Sequence, residues 1–182
     1  MNPMKTPTFH RAAAGFTLLE VLITIVVVAF GLLGLAGLQV FALKNNQSAG
    51  MRIAATGLAS DIVDRMKSNF GGVVAGGYNQ PNTSAYNTAV PGCNAGGCTA
   101  NELAQNDLKE WRDRVVATLP GGDGIVCLDA TPADPAPTPA APACDNTGVT
   151  VYVVKIWWLD DRSQANTGAT PVKKYIYTSF NP

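Results

Sequence analysis

A single carboxylate, Glu20, stands inside an apolar run that extends from Phe16 to Leu38, 23 residues with no other ionisable group. At about 1.5 Å of rise per residue such a run crosses a hydrocarbon core of about 30 Å as a helix. A charge in that setting costs about 2.5–3.5 kcal/mol on insertion scales. Such a residue usually has a partner, or stands near the helix start for the macrodipole. The second reactive set is Cys93, Cys98, Cys127 and Cys144, all on one side of the apolar run. An even count in a region rich in glycine and proline points to disulfides and to an oxidising compartment. Four cysteines allow three pairings; locality favours Cys93 with Cys98 and Cys127 with Cys144. The latter bridge would close a loop for which chain entropy predicts about 3 kcal/mol of stabilisation.

Other constellations carry less chemistry. The spacing of Cys93 and Cys98 could suit a metal, but the chain's one histidine, His10, lies before the apolar run and no second close cysteine pair follows; no metal site and no cofactor are expected. Asp107, Glu110, Asp113 and Arg114 resemble an acid/base set, yet at these spacings on a helix they read as a solvated face. The turn Pro120-Gly-Gly-Asp-Gly124 lacks the Lys-Ser/Thr of a phosphate loop. Asp160-Asp161 reads as a hydrated turn, since two adjacent acids without further ligands make a poor calcium site. Trp157-Trp158 could stack a sugar, but core or interface packing is the better reading. No nucleophile has a convincing base, so no enzyme is expected.

The elements that position these groups follow from periodicity. Beyond Leu38 the helix is expected to continue to about Phe70, with Met51, Ala55, Leu58, Ile62 and Met66 forming an apolar stripe and Arg52, Asp61, Asp64, Arg65 and Lys67 largely off it. Gly71-Gly72 should end it. Gly31, Gly34 and Gly37 lie on one side of the apolar half, each costing about 1 kcal/mol against Ala, which marks close helix packing or a place to unwind. Residues 71–98 read as a loop with one short strand. Thr99-Ala-Asn-Glu102 has the form of a capping box and opens a helix whose face is Leu108, Trp111, Val115 and Leu119. Ile125–Leu128 reads as a strand. Thr131–Ala143, with five prolines in thirteen residues, reads as an extended exposed loop. Val149–Leu159 is the strongest strand; Asp160–Thr170 makes a polar turn, and Lys173–Phe180 returns as its antiparallel partner. Trp157 and Trp158 point to opposite faces, one toward the long helix and the other nearer the surface. The fold class is α+β: a long N-terminal helix packed on a small antiparallel sheet.

At 182 residues there is room for one globular domain beyond the membrane segment. Formal net charge is zero, and without residues 1–15, which carry Lys5 and Arg11, 11 basic side chains face 13 acidic ones; nothing suggests nucleic acid. Lys5, His10 and Arg11 before the run, with no acid among them, orient that end to the cytoplasm and place the following domain outside it. A secretory signal peptide would carry its small residues after the apolar core, whereas Ala12, Ala13, Ala14 and Gly15 precede it. A signal anchor fits the length but leaves Glu20 unexplained.

Gly15-Phe16-Thr17-Leu18-Leu19-Glu20 closely resembles the processing site of type IV prepilins. That resemblance implies a leader over 1–15, cleavage between Gly15 and Phe16 by a prepilin peptidase and N-methylation of Phe16. It also implies a retained transmembrane and assembly helix over 16–43, and a periplasmic pilin-like domain over 44–182. It gives Glu20 a partner as well, the N-terminal ammonium of a neighbouring subunit, so that Glu20 sets assembly register. Leu32-Leu33-Gly34-Leu35-Ala36-Gly37-Leu38-Gln39, Asp61-Ile-Val-Asp-Arg-Met66, Asp107-Leu-Lys-Glu-Trp111 and Leu119-Pro-Gly-Gly122 are similar to the minor pilin family of type IV pilus modification proteins, PilV. The similarity is strong over residues 11–70 and weaker beyond. Many major pilins have a proline in the apolar half, and this chain has none between Pro7 and Pro81. The family implies a non-enzymatic subunit of the inner membrane and then of the pilus, near its tip. There it joins other minor pilins, the major pilin and a tip adhesin to prime or cap assembly, supporting twitching and adhesion. A minor pseudopilin of type II secretion or a membrane-anchored adhesin module are the alternatives.

Overall fold

A computed structural model of the chain describes residues 15–80, 93, 97–135, 137–146, 148–160 and 173–182. The leader residues 1–14, residues 81–92 and 94–96 of the loop with one short strand expected over 71–98, and most of the turn after Asp160 lie outside the described residues; the start of that expected loop is helical, in α2. Helix α1 runs Leu18–Ser68, α2 Phe70–Val74 and α3 Ala100–Thr118; the strands are β1 (Asp123–Leu128), β2 (Tyr152–Trp158) and β3 (Lys174–Phe180). The chain divides into two compact units, Met1–Asn45 and Asn46–Pro182.

Within the second unit the core follows the expected stripe. Ala55, Ile62 and Met66 are buried with Ala59 and Val63, and Met51 and Leu58 pack at the margin. Opposite them α3 buries Ala104, Leu108, Trp111 and Val115. The Trp111 indole N–H donates to the Leu58 carbonyl at 2.8 Å, which satisfies its polar edge inside the apolar contact. The capping box is complete: Glu102 N–H donates to Thr99 Oγ1 at 3.3 Å and Thr99 N–H to Glu102 Oε2 at 2.8 Å. Gly71-Gly72 does not end α1. That helix stops at Ser68, and Asn69 caps α2, in which both glycines sit. A Cβ on Gly72 would stand 2.7 Å from the Ala100 carbonyl oxygen, so close approach to α3 accounts for that glycine.

The sheet is antiparallel with β2 in the middle, in the order β1-β2-β3. Ile125 lies opposite Lys155, which in turn lies opposite Tyr177. Side chains alternate between faces. Tyr152, Val154, Ile156 and Trp158 share the face turned to the helices, where the Tyr152 hydroxyl donates to the Val73 carbonyl at 3.0 Å. Val153, Lys155 and Trp157 share the other face.

That second face corrects an expectation. The proline-rich segment is not simply an exposed loop; it lies over the sheet as a strap. Cys127 is bonded to Cys144 and Cys93 to Cys98. The Trp157 indole N–H donates to the Pro137 carbonyl at 2.8 Å, and the Tyr175 hydroxyl to the Asp134 carbonyl at 3.3 Å. The Trp157 and Tyr175 rings stack at 6.5 Å between centroids. Both tryptophans of the pair are thus buried, so neither is a surface platform.

Candidate functional site

Among its described residues the first unit buries no core, and its chemistry lies in what it leaves open. Thr17 caps α1: Glu20 N–H donates to the Thr17 carbonyl at 3.1 Å and to its Oγ1 at 3.3 Å, and Val21 N–H donates to the same carbonyl at 3.3 Å. Threonine in that position satisfies amide donors that the first turn leaves without partners. Glu20 falls in the first turn, where the helix dipole favours an acid. Thr24 folds its hydroxyl back to the Val21 carbonyl at 2.8 Å, which removes its polarity from the surface.

From Phe16 to Leu43 every large apolar side chain is exposed, including Leu18 at 83% and Phe30 at 72%. The apolar character runs round the whole helix, as in a membrane-spanning segment rather than one face of a soluble one. By length and composition α1 can cross a membrane. At Gly31, Gly34 and Gly37 no atom lies within 4 Å of where a Cβ would stand. The helix is continuous through all three, and the positions are open to close approach by another helix. Glu20 has no ion pair among the described residues. The site therefore consists of an apolar cylinder with one acid near its start.

The globular unit contributes support. The structure corrects the reading of the α3 charges as only a solvated face. Asp107 is buried and accepts from Arg65 Nη1 at 2.9 Å and from the Tyr78 hydroxyl at 2.7 Å. Arg65 also reaches Glu110 at 3.0 Å, and Arg114 pairs with Asp61; Asp113, the most exposed of the four, pairs within α3, with Lys109. Burial pushes the Tyr78 hydroxyl well above its ordinary value, reinforced by its bond to the Asp107 carboxylate. Asp160 accepts from Ser48 Oγ at 2.6 Å and pairs with Lys174 at 2.8 Å, which is a structural tie. A further pair was not legible in the residue pattern: Lys155 and Asp129, both fully buried, form a salt bridge beneath the strap. Among the described residues no group of three or more His, Cys, Asp or Glu could hold a metal ion.

Comparison with known proteins adds to this geometry. Residues 10–36 match the family model for the prokaryotic N-terminal methylation motif, and residues 37–109 match that for type IV pilin Tt1218. No curated protein and no solved structure matches the chain. The two matches run on from one another and together contain α1, α2 and the start of α3. An apolar helix with this motif suits membrane anchoring and pilus assembly. Over residues 37–109 the chain is thus similar to type IV pilins of the Tt1218-like kind, and over 10–36 it carries the N-terminal methylation motif.

Proposed function

We propose that the chain is a minor pilin, a structural subunit that joins other minor pilins to prime or cap a type IV pilus. The observation that carries the reading is the first half of α1, to Leu43, apolar and exposed on every side, with one acid in its first turn that has no ion pair among the described residues. Prepilin peptidase cuts between Gly15 and Phe16 and frees an ammonium, which methylation of Phe16 leaves charged. In the bilayer the helix is covered by lipid; in a filament it is covered by other helices. Exchanging one apolar cover for the other changes little free energy, so packing and polar pairing decide the arrangement. An unpaired carboxylate in that interior is costly, and meeting a neighbour's ammonium removes the cost only at one axial stagger. Glu20 thereby sets register. The same subunit contacts the major pilin, the inner membrane and a tip partner, and supports twitching and adhesion.

The test is made on the mature protein. Mass spectrometry should find methylated Phe16 as the first residue, and Gly15→Leu should retain the leader. Glu20→Ala should be processed normally yet recovered with filaments at a small fraction of the wild-type level. Normal piliation with both variants would overturn the proposal. Loss of protein secretion with intact pili in a deletion strain would replace it with the pseudopilin reading.

A further inference from the structure

The two margins of the sheet are finished differently. Along β1, Gln80 N–H donates to the Val126 carbonyl at 2.9 Å and Leu128 N–H to Asn79 Oδ1 at 3.0 Å, so the segment at 79–80 lies against that edge. β3 pairs with β2 from end to end, and among the described residues its backbone bonds to nothing else. An edge strand directs a row of amide and carbonyl groups away from its sheet, and such edges are ordinarily blunted by charge, proline or a bulge. Tyr175-Ile-Tyr-Thr-Ser-Phe180 contains no charge and no proline, and its register with β2 is unbroken. Tyr175, Ile176 and Phe180 are partly buried at the rim of the core, and Tyr177 is 42% exposed.

Only an extended backbone satisfies a row of alternating donors and acceptors, so the edge itself specifies its ligand. Charge specifies it further. Lys174 is paired with Asp160, whereas Lys173 has no ion pair among the described residues. If a second copy of β3 paired antiparallel about Tyr177, Lys173 would face Asn181 and Lys174 would face Phe180. Neither lysine would meet an acid. We infer that the outer edge of β3 is a docking site for one extended strand from a different filament subunit. That strand is uncharged along its middle, carries apolar residues at alternate positions to extend the layer of Ile176 and Phe180, and has an acid at the end that meets Lys173. The identity of the supplier as a co-assembling pilin rests on the assembly reading above; the backbone chemistry rests on the sheet margin alone.

The experiment uses the full chain in the piliated cells that make it, with p-benzoylphenylalanine in place of Tyr177, and the same group in place of the exposed Val116 on α3 as reference. Irradiation should join position 177 to another pilin subunit in clear excess over position 116. Lys173→Glu in the same chain should lower that yield about two- to fivefold, the span of exposed ion pairs. Retained disulfides on non-reducing gels confirm folding of each variant. No adduct from 177, an adduct within the chain, with its own second copy or with a protein that is not a pilin would overturn the inference. Sedimentation with filaments before irradiation reads the assembly proposal separately. A chain present in filaments but without the expected adduct sinks the edge inference alone, and a chain absent from filaments sinks the assembly reading.

Discussion

Arg65 ties α1 to α3 through carboxylates of both helices, reaching Asp61 at 3.4 Å, Asp107 at 2.9 Å and Glu110 at 3.0 Å. Burial works against its charge, but bonds to Glu110 and Asp107 and the nearby Asp61 outweigh it and hold the guanidinium above its ordinary value. Conversely, the bond from Arg65 holds the Glu110 carboxyl below the usual 4.5, against a smaller opposing effect of burial. A carboxyl depressed on folding contributes stability that is fully present above its unfolded value and lost as pH falls through its folded one. Thermal unfolding followed from pH 7 downward should therefore show stability falling below the ordinary glutamate value of 4.5, and Glu110→Gln should flatten the profile in that window. An unchanged profile would remove Glu110 from the network. Lys155 is a harsher case, since its ammonium faces Asp129 and donates to the Pro142 and Ala143 carbonyls at 2.8 and 2.9 Å. Lys155→Met leaves Asp129 buried without its cation and should cost about 3–5 kcal/mol, while adding Asp129→Leu should recover most of the loss. Urea unfolding of the three chains in detergent reads this directly. In the sequence Lys155 is one lysine within Val-Tyr-Val-Val-Lys-Ile-Trp-Trp. The sole hint was a charge in a run apolar enough to be buried on both faces.

At the scale of elements, what repeats along the chain was legible and what folds back from afar was not. The stripe from Met51 to Met66, the α3 face through Trp111 and the β2–β3 hairpin are local periodicities, and each reappears in the packing. The capping box is local too. The strap is different, because its attachments are backbone carbonyls, of Asp134, Pro137, Pro142 and Ala143, which carry no side-chain signal; they meet Tyr175, Trp157 and Lys155 over separations that periodicity does not reach. Asp107 was misread for the same reason, since its partners Arg65 and Tyr78 come from other elements. Two predictions belong here. A Cβ on Gly124 would stand 2.5 Å from Trp111 Cη2, so Gly124→Ala should overpack the contact between β1 and α3 and cost about 1–3 kcal/mol in denaturant unfolding. Replacing Cys127 and Cys144 together by Ser should cost about 3 kcal/mol by loop entropy. Red-shifted tryptophan fluorescence of the still folded double variant would show that the strap has lifted from Trp157.

Taken as a whole, the chain separates a part made to be covered by other molecules from a part that covers itself. Every buried apolar side chain among the described residues lies at Ala55 or beyond, and the second compact unit begins at Asn46. The described residues before it contribute exposed apolar surface and no core. Such surface lowers solubility without adding to the stability of the globular unit. A chain starting at Asn46, with its four cysteines oxidised, should therefore be soluble without detergent. Its thermal midpoint should lie within about 4 °C of the full chain's, a difference equivalent to about 1 kcal/mol for a domain of this size. The network of Arg65, Asp107 and Glu110 and the pair of Lys155 and Asp129 all lie within the shortened chain, so the pH profile should carry over unchanged. A broad transition, or a midpoint far below that of the full chain, would mean that the apolar helix supports the fold as well as its assembly. The separation of roles between the two units would then be wrong.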